Sequence, residues 1–103
     1  MSRRYKVYLS ERAQSDLEAA MLWWTENRDK APEAMIEDVA EALERLAKHG
    51  PKLGTPVRSA RVPGLRRLAL PRVRQYVYFV VSLAGEIEVA ALWHVSKAKP
   101  PVI

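Results

Sequence analysis

The chain has no cysteine. A thiol nucleophile, a disulfide framework and a cysteine-ligated metal are therefore excluded. Its two histidines, His49 and His94, do not make a zinc site without acidic ligands at close spacing, and none is visible. No glycine-rich loop could cradle a phosphate, and no Ser/His/Asp spacing suggests a catalytic triad. No cofactor is expected. No apolar run approaches a membrane span, and Met1-Ser2-Arg3-Arg4-Tyr5-Lys6 lacks an apolar stretch behind its charges. These absences leave a soluble, cytoplasmic protein as the expectation. Acid is also scarce where base is dense. Residues 1–51 hold eight Lys/Arg and ten Asp/Glu, whereas residues 52–103 hold nine and two, a local charge of +7 within a chain of net +5.

The base is concentrated further. Arg58, Arg61, Arg66, Arg67, Arg72 and Arg74 lead into Tyr76 and Tyr78 with no acid among them. Local neighbours cannot neutralise six arginines, so acid must come from elsewhere in the fold or from another molecule. Residues 64–70 and 72–82 read as strands joined by a turn at Pro71, and 86–95 as a third strand. Alternation puts Arg72, Arg74, Tyr76, Tyr78 and Val80 on one face. Val73, Gln75, Val77, Phe79 and Val81 take the other, more apolar face. Arginine interleaved with tyrosine offers phosphate or carboxylate contacts beside a stacking surface. In the last strand Ile87, Val89, Ala91, Trp93 and Val95 alternate with Glu86, Glu88, Ala90, Leu92 and His94. His94 then ends a strand near the arginines, where an imidazole could move a proton or contact a partner.

The first half reads as a strand and two helices. Tyr5–Leu9 alternates. Ser10 stands at an N-cap position before an amphipathic helix over 11–28 carrying Ala13, Leu17, Ala20, Met21 and Trp24. Trp23 lies off that stripe, as an interface residue or one buried along a helix seam. After a polar break at 27–30, Pro32 opens a second helix with Met35, Val39, Ala42, Leu43 and Leu46 inward. Gly50-Pro51 stops it. Residues 51–63 read as a loop and 97–103 as a loose end. At 103 residues the chain is one domain over 1–103. The order is β-α-α-β-β-β, an α+β fold with a helical hairpin on one face of a mainly antiparallel sheet.

Residues 5–17, Ala42-Leu43-Glu44-Arg45-Leu46, 51–57, Gly64-Leu65-Arg66-Arg67-Leu68, 72–78 and Leu92-Trp93-His94-Val95 together resemble the RelE/ParE superfamily of bacterial type II toxins, nearest its ParE branch. That resemblance implies a compact α+β fold and a cognate acidic antitoxin that wraps the toxin in a hetero-oligomer. It also implies one of two activities. ParE-like members are associated with poisoning DNA gyrase, whereas RelE-like members cut messenger RNA on the ribosome. The chain lacks a tyrosine beyond Tyr78, so the usual C-terminal tyrosine of the nucleases has no counterpart except His94. Loop 51–63 carries a single lysine, Lys52. The expectation is a growth-inhibiting, plasmid-stabilising type of toxin that binds its target, with gyrase as the family-level candidate. Its partner surface would be Arg66, Arg67, Arg72, Arg74, Tyr76 and Trp23. The rival is a ribosome-dependent endoribonuclease with Arg66, Arg72, Arg74 and His94 as its catalytic set.

Overall fold

In the computed structural model, residues 4–27, 33–59, 61–95 and 101 are described. The polar break at 28–30, Pro32 and most of the tail lie outside them. The elements run β1 (Val7–Leu9), α1 (Glu11–Asn27), α2 (Ala34–His49), a 3-10 turn (Gly50–Lys52), β2 (Thr55–Pro56), β3 (Arg66–Leu70), β4 (Gln75–Val81) and β5 (Ile87–His94). One five-stranded sheet has the order β1-β5-β4-β3-β2. Only the β1–β5 pairing is parallel; the other three are antiparallel. The two helices cover one face, α1 over β5 and α2 over β3. This is the α+β arrangement expected, with one small edge strand, β2, inside what the sequence presents as a loop.

Local chemistry sets the helix ends. The Ser10 hydroxyl accepts the Ala13 N–H at 3.0 Å, which satisfies one of the amides that the first turn of α1 leaves unpaired. The α2 helix closes where the Gly50 N–H reaches the Leu46 carbonyl. Along α2 the apolar stripe largely follows the spacing, with Met35, Val39, Ala42 and Leu46 buried and Leu43 only half-buried at the edge of the core. They pack with Val77, Phe79, Ile87, Val89 and Leu92 from the sheet, Val73 from the turn before β4 and Trp24 from α1. Burying side chains of this size contributes roughly 1.5–3 kcal/mol each, so this layer dominates the stability of the domain.

Two features depart from the sequence pattern. Residues 71–74 form a turn rather than the start of a strand, so β4 begins at Gln75 and Arg72 and Arg74 do not share a strand face with Tyr76. Second, β5 carries a bulge. Tyr78 pairs with Ala91 while Phe79 pairs with Val89, leaving Ala90 as an extra residue. The extra residue reverses which side chains face the helices. Ile87 and Val89 enter the helix-side core before it and Leu92 after it, whereas Ala91 and Trp93 turn to the other face. The bulge is used by the fold. The Ser10 N–H donates to the Val89 carbonyl at 3.0 Å and the Ser10 hydroxyl to the Ala90 carbonyl at 3.1 Å, joining the start of α1 to β5.

No helix among the described residues is long and apolar enough to cross a membrane, and no group of metal-ligating side chains occurs among them.

Candidate functional site

The sheet face away from the helices carries a second, smaller cluster. Tyr78, Leu65 and Ala91 are buried there, with Val57, Val62, Tyr76 and Trp93 packed against them. Loop residues, not a helix, provide the cover, because Leu65 and its neighbours fold back after β2. Tyr78 is thus a packing residue, 1% exposed. Tyr76 stays partly open and meets Tyr78 edge-on, with ring centres 6.3 Å apart.

Cations flank this aromatic row. The Arg67 guanidinium lies 4.3 Å from the centre of the Tyr76 ring. Tyr76 stands opposite Trp93 in the β4–β5 register. Arg12, from α1, lies 5.7 Å from the Trp93 ring. The result is a strip of Arg67, Tyr76, Trp93 and Arg12, with cation and aromatic faces in contact at both ends. A rigid strip of this kind can stack on planar groups and pair with carboxylates or phosphates at its ends.

The remaining arginines divide by what they touch. Arg66 is used internally. Its Nε donates to the Leu53 carbonyl at 2.8 Å and a terminal nitrogen to the Gly54 carbonyl at 3.0 Å. That clamp holds β2 against β3. A side chain at Gly54 would run into the Arg67 backbone carbonyl, and Gly54 has φ +71, so the close approach requires glycine. Arg72 is also held by its own chain. Its Nε donates to Asp38 at 2.7 Å, its backbone N–H to the same carboxylate at 3.2 Å, and Glu37 lies 3.6 Å away. The hydrogen bond to Asp38 raises the Arg72 pKa above its ordinary value. Part of the acid that the basic segment requires therefore comes from α2. Asp38 could have been singled out in the sequence, because an acid one position before Val39 on an apolar stripe needs a partner if it is buried.

Arg74 differs from both. It is exposed and sits at φ +56, a left-handed conformation that costs a non-glycine residue about 1–2 kcal/mol. Two backbone hydrogen bonds hold it there, from its N–H to the Leu70 carbonyl and from the Val95 N–H to its own carbonyl, each 2.9 Å.

The four residues of the nuclease set are dispersed. Arg66 stands opposite Phe79, two residues short of the end of β4, and His94 opposite Gln75 at its start. Four residues of strand separate those rows, about 13 Å. Arg72 turns to α2. Only Arg74 and His94 share one end of the sheet, through the Arg74–Val95 hydrogen bond. Trp23 is 48% exposed and its neighbour Leu22 61%, while Trp24 is buried, as the helix periodicity requires. Arg12, Asp16 and Gln75 were not legible as site residues. Asp16 accepts the Leu92 N–H at 3.1 Å and pairs with Arg12 at 3.5 Å, contacts that exist only because α1 packs along β5.

A helical hairpin on a five-stranded sheet, with a basic and aromatic open face, defines a small α+β protein. The family described as "ParE toxin of type II toxin-antitoxin system, parDE" matches residues 7–98, and the chain belongs to that family. Two solved structures share the fold. One, "Chromosomal ParDE TA system from P. aeruginosa", superposes with a TM-score of 0.69 at 23% identity, covering 90% of this chain and 98% of that one. The other, "The structure of YoeB dimer from Staphylococcus aureus", gives 0.60 at 15% identity, covering 88% and 97%. No curated protein matches the chain.

Proposed function

We propose that this protein is the toxin of a toxin–antitoxin pair, that it arrests growth by binding a cellular target, with DNA gyrase as the candidate, and that a cognate acidic antitoxin neutralises it in the cytoplasm. The observation that carries this reading is the strip of Arg67, Tyr76, Trp93 and Arg12 on the face without helices. Arg74 on the neighbouring turn and Trp23 on α1 extend the surface that a partner can reach. An acidic antitoxin segment supplies carboxylates for the arginines and apolar groups for the aromatic rings.

Binding a target requires a surface, whereas cutting RNA requires a proton donor beside the phosphate contacts. The separation of Arg66 and Arg72 from His94 favours the first. The test is the purified protein added to DNA gyrase in a supercoiling assay, beside transcript mapping after induction in growing cells. Loss of supercoiling with intact transcripts is expected. Ribosome-dependent cuts in messenger RNA that vanish with His94→Gln would overturn the reading in favour of the endoribonuclease.

A further inference from the structure

A cleft of about 220 Å³ opens between α1 and the end of β4 and β5, lined by Asp16, Ala20, Gln75, Leu92, Trp93 and His94. It lies at the opposite end of the sheet from the Arg66 clamp. Its most informative group is Gln75. This residue is only 8% exposed, yet its side chain takes part in no hydrogen bond among the described residues. No fully enclosed side-chain polar atom among the described residues lacks a partner. The Gln75 amide therefore keeps its contact with the open space of the cleft. Leaving a buried carboxamide without a partner is costly unless water or a ligand supplies one.

The rest of the lining limits what that ligand is. Asp16 is fixed in place by the Leu92 N–H and disfavours an anion inside the cleft. Arg12, 3.5 Å from Asp16, balances its charge and removes the need for a cation. The group inside is then neutral. Ala20 and the neighbouring Ala19 keep α1 low over the cleft, and Leu92 supplies an apolar wall from β5, a combination suited to a flat ring. The volume is below the roughly 300–1,000 Å³ of sites that enclose a whole small molecule. One ring system fits, with anything attached to it left outside. Arg74 stands at the same end of the sheet, its backbone carbonyl accepting the Val95 N–H next to His94.

We infer that this cleft takes a nucleobase that presents an exocyclic amine beside a ring acceptor, adenine being the type, with Gln75 pairing to that edge through both its carbonyl and its amino group. The base comes either from a mononucleotide or from a single strand. Its phosphate stays outside the cleft. The inference stands on the cleft alone, so failure of gyrase inhibition would leave it intact.

The experiment titrates the full chain with adenosine monophosphate, uridine monophosphate, inorganic phosphate, and short oligoadenylate and oligouridylate. Tryptophan fluorescence and the Gln75 side-chain amide signal in nuclear magnetic resonance report binding. Both adenine ligands are expected to bind at least about tenfold more tightly than their uracil counterparts, the worth of one bidentate amide–base pair. Tighter binding of the oligoadenylate identifies a strand as the source; equal binding identifies the mononucleotide. Gln75→Leu should lose about tenfold in adenine affinity with an unchanged melting temperature. Should Gln75→Leu not fold, Ala20→Leu, which fills the cleft from α1, should give the same loss. The inference is overturned if neither adenine ligand binds at millimolar concentration, if uracil ligands or phosphate bind equally well, or if the folded variants bind as the parent does.

Discussion

On the helix-covered face of the sheet, Val77, Phe79, Ile87 and Val89 are at most 1% exposed and are covered by two helices. On the opposite face the same strands present Tyr76, Tyr78 and Trp93, covered only by the chain around Leu65, with Arg67 and Arg12 at the rims. The strands are shared, so the difference lies in their cover. One face is a closed apolar layer whose value is stability. The other leaves polar-tipped aromatic rings and cations where a second molecule can reach them, the surface proposed above for recognition.

The largest expected effect sharpens this contrast directly. Phe79→Ala should cost about 3–5 kcal/mol, since it opens a cavity in the closed layer. Tyr76→Ala, on the open face, should cost under about 1 kcal/mol. Urea unfolding of both variants checks this, and equal losses would break the comparison.

Binding should reverse the order. Tyr76→Ala and Arg67→Ala should each weaken the antitoxin complex by about 2 kcal/mol, roughly thirtyfold, as interface anchors do. Arg74→Glu should weaken it too, and more at low salt than at high. Calorimetric titration against the cognate antitoxin measures all three. Wild-type affinity for Arg74→Glu would remove the turn from the partner surface.

A smaller effect separates backbone from side chain at one residue. Arg74→Gly relieves a left-handed conformation and should raise stability by about 0.5–1 kcal/mol. The same substitution should weaken antitoxin binding. A thermal melt that falls instead would show that the Arg74 side chain stabilises the fold.

The smallest effect lies far from either face. Arg4 donates two hydrogen bonds of 2.9 Å to Glu44 and holds its carboxyl below the ordinary 4.5. A lowered folded value means that the contribution is present above pH 4.5 and is lost as pH falls through that lowered value. Both side chains are more than half exposed, so solvent screens the pair. Glu44→Gln should barely change the melt at pH 7, and the difference should shrink as pH falls below 4.5.

The amino-acid sequence by itself determined both helices, the strands other than β2, and most of the core, though not where β4 begins. Periodicity is a local record of which side each residue faces, and Met35, Val39, Ala42 and Leu46 on α2, or Val77 and Phe79 on β4, follow it without exception. It also determined that a segment of six arginines needed acid from outside itself. Tertiary structure decided what met them. Asp38 and Arg72 are 34 residues apart, and nothing local links them. The bulge at Ala90 was likewise invisible, because two alternating runs of alanine, valine and leucine look the same with or without one extra residue. It is fixed only when Ser10 caps α1 and bonds to Val89 and Ala90 at once. That single shift put Trp93 beside Tyr76 on the open face and turned His94, with Gln75, toward α1. The sequence carries the side chains of both sites, but contacts between distant segments decide which of them stand together.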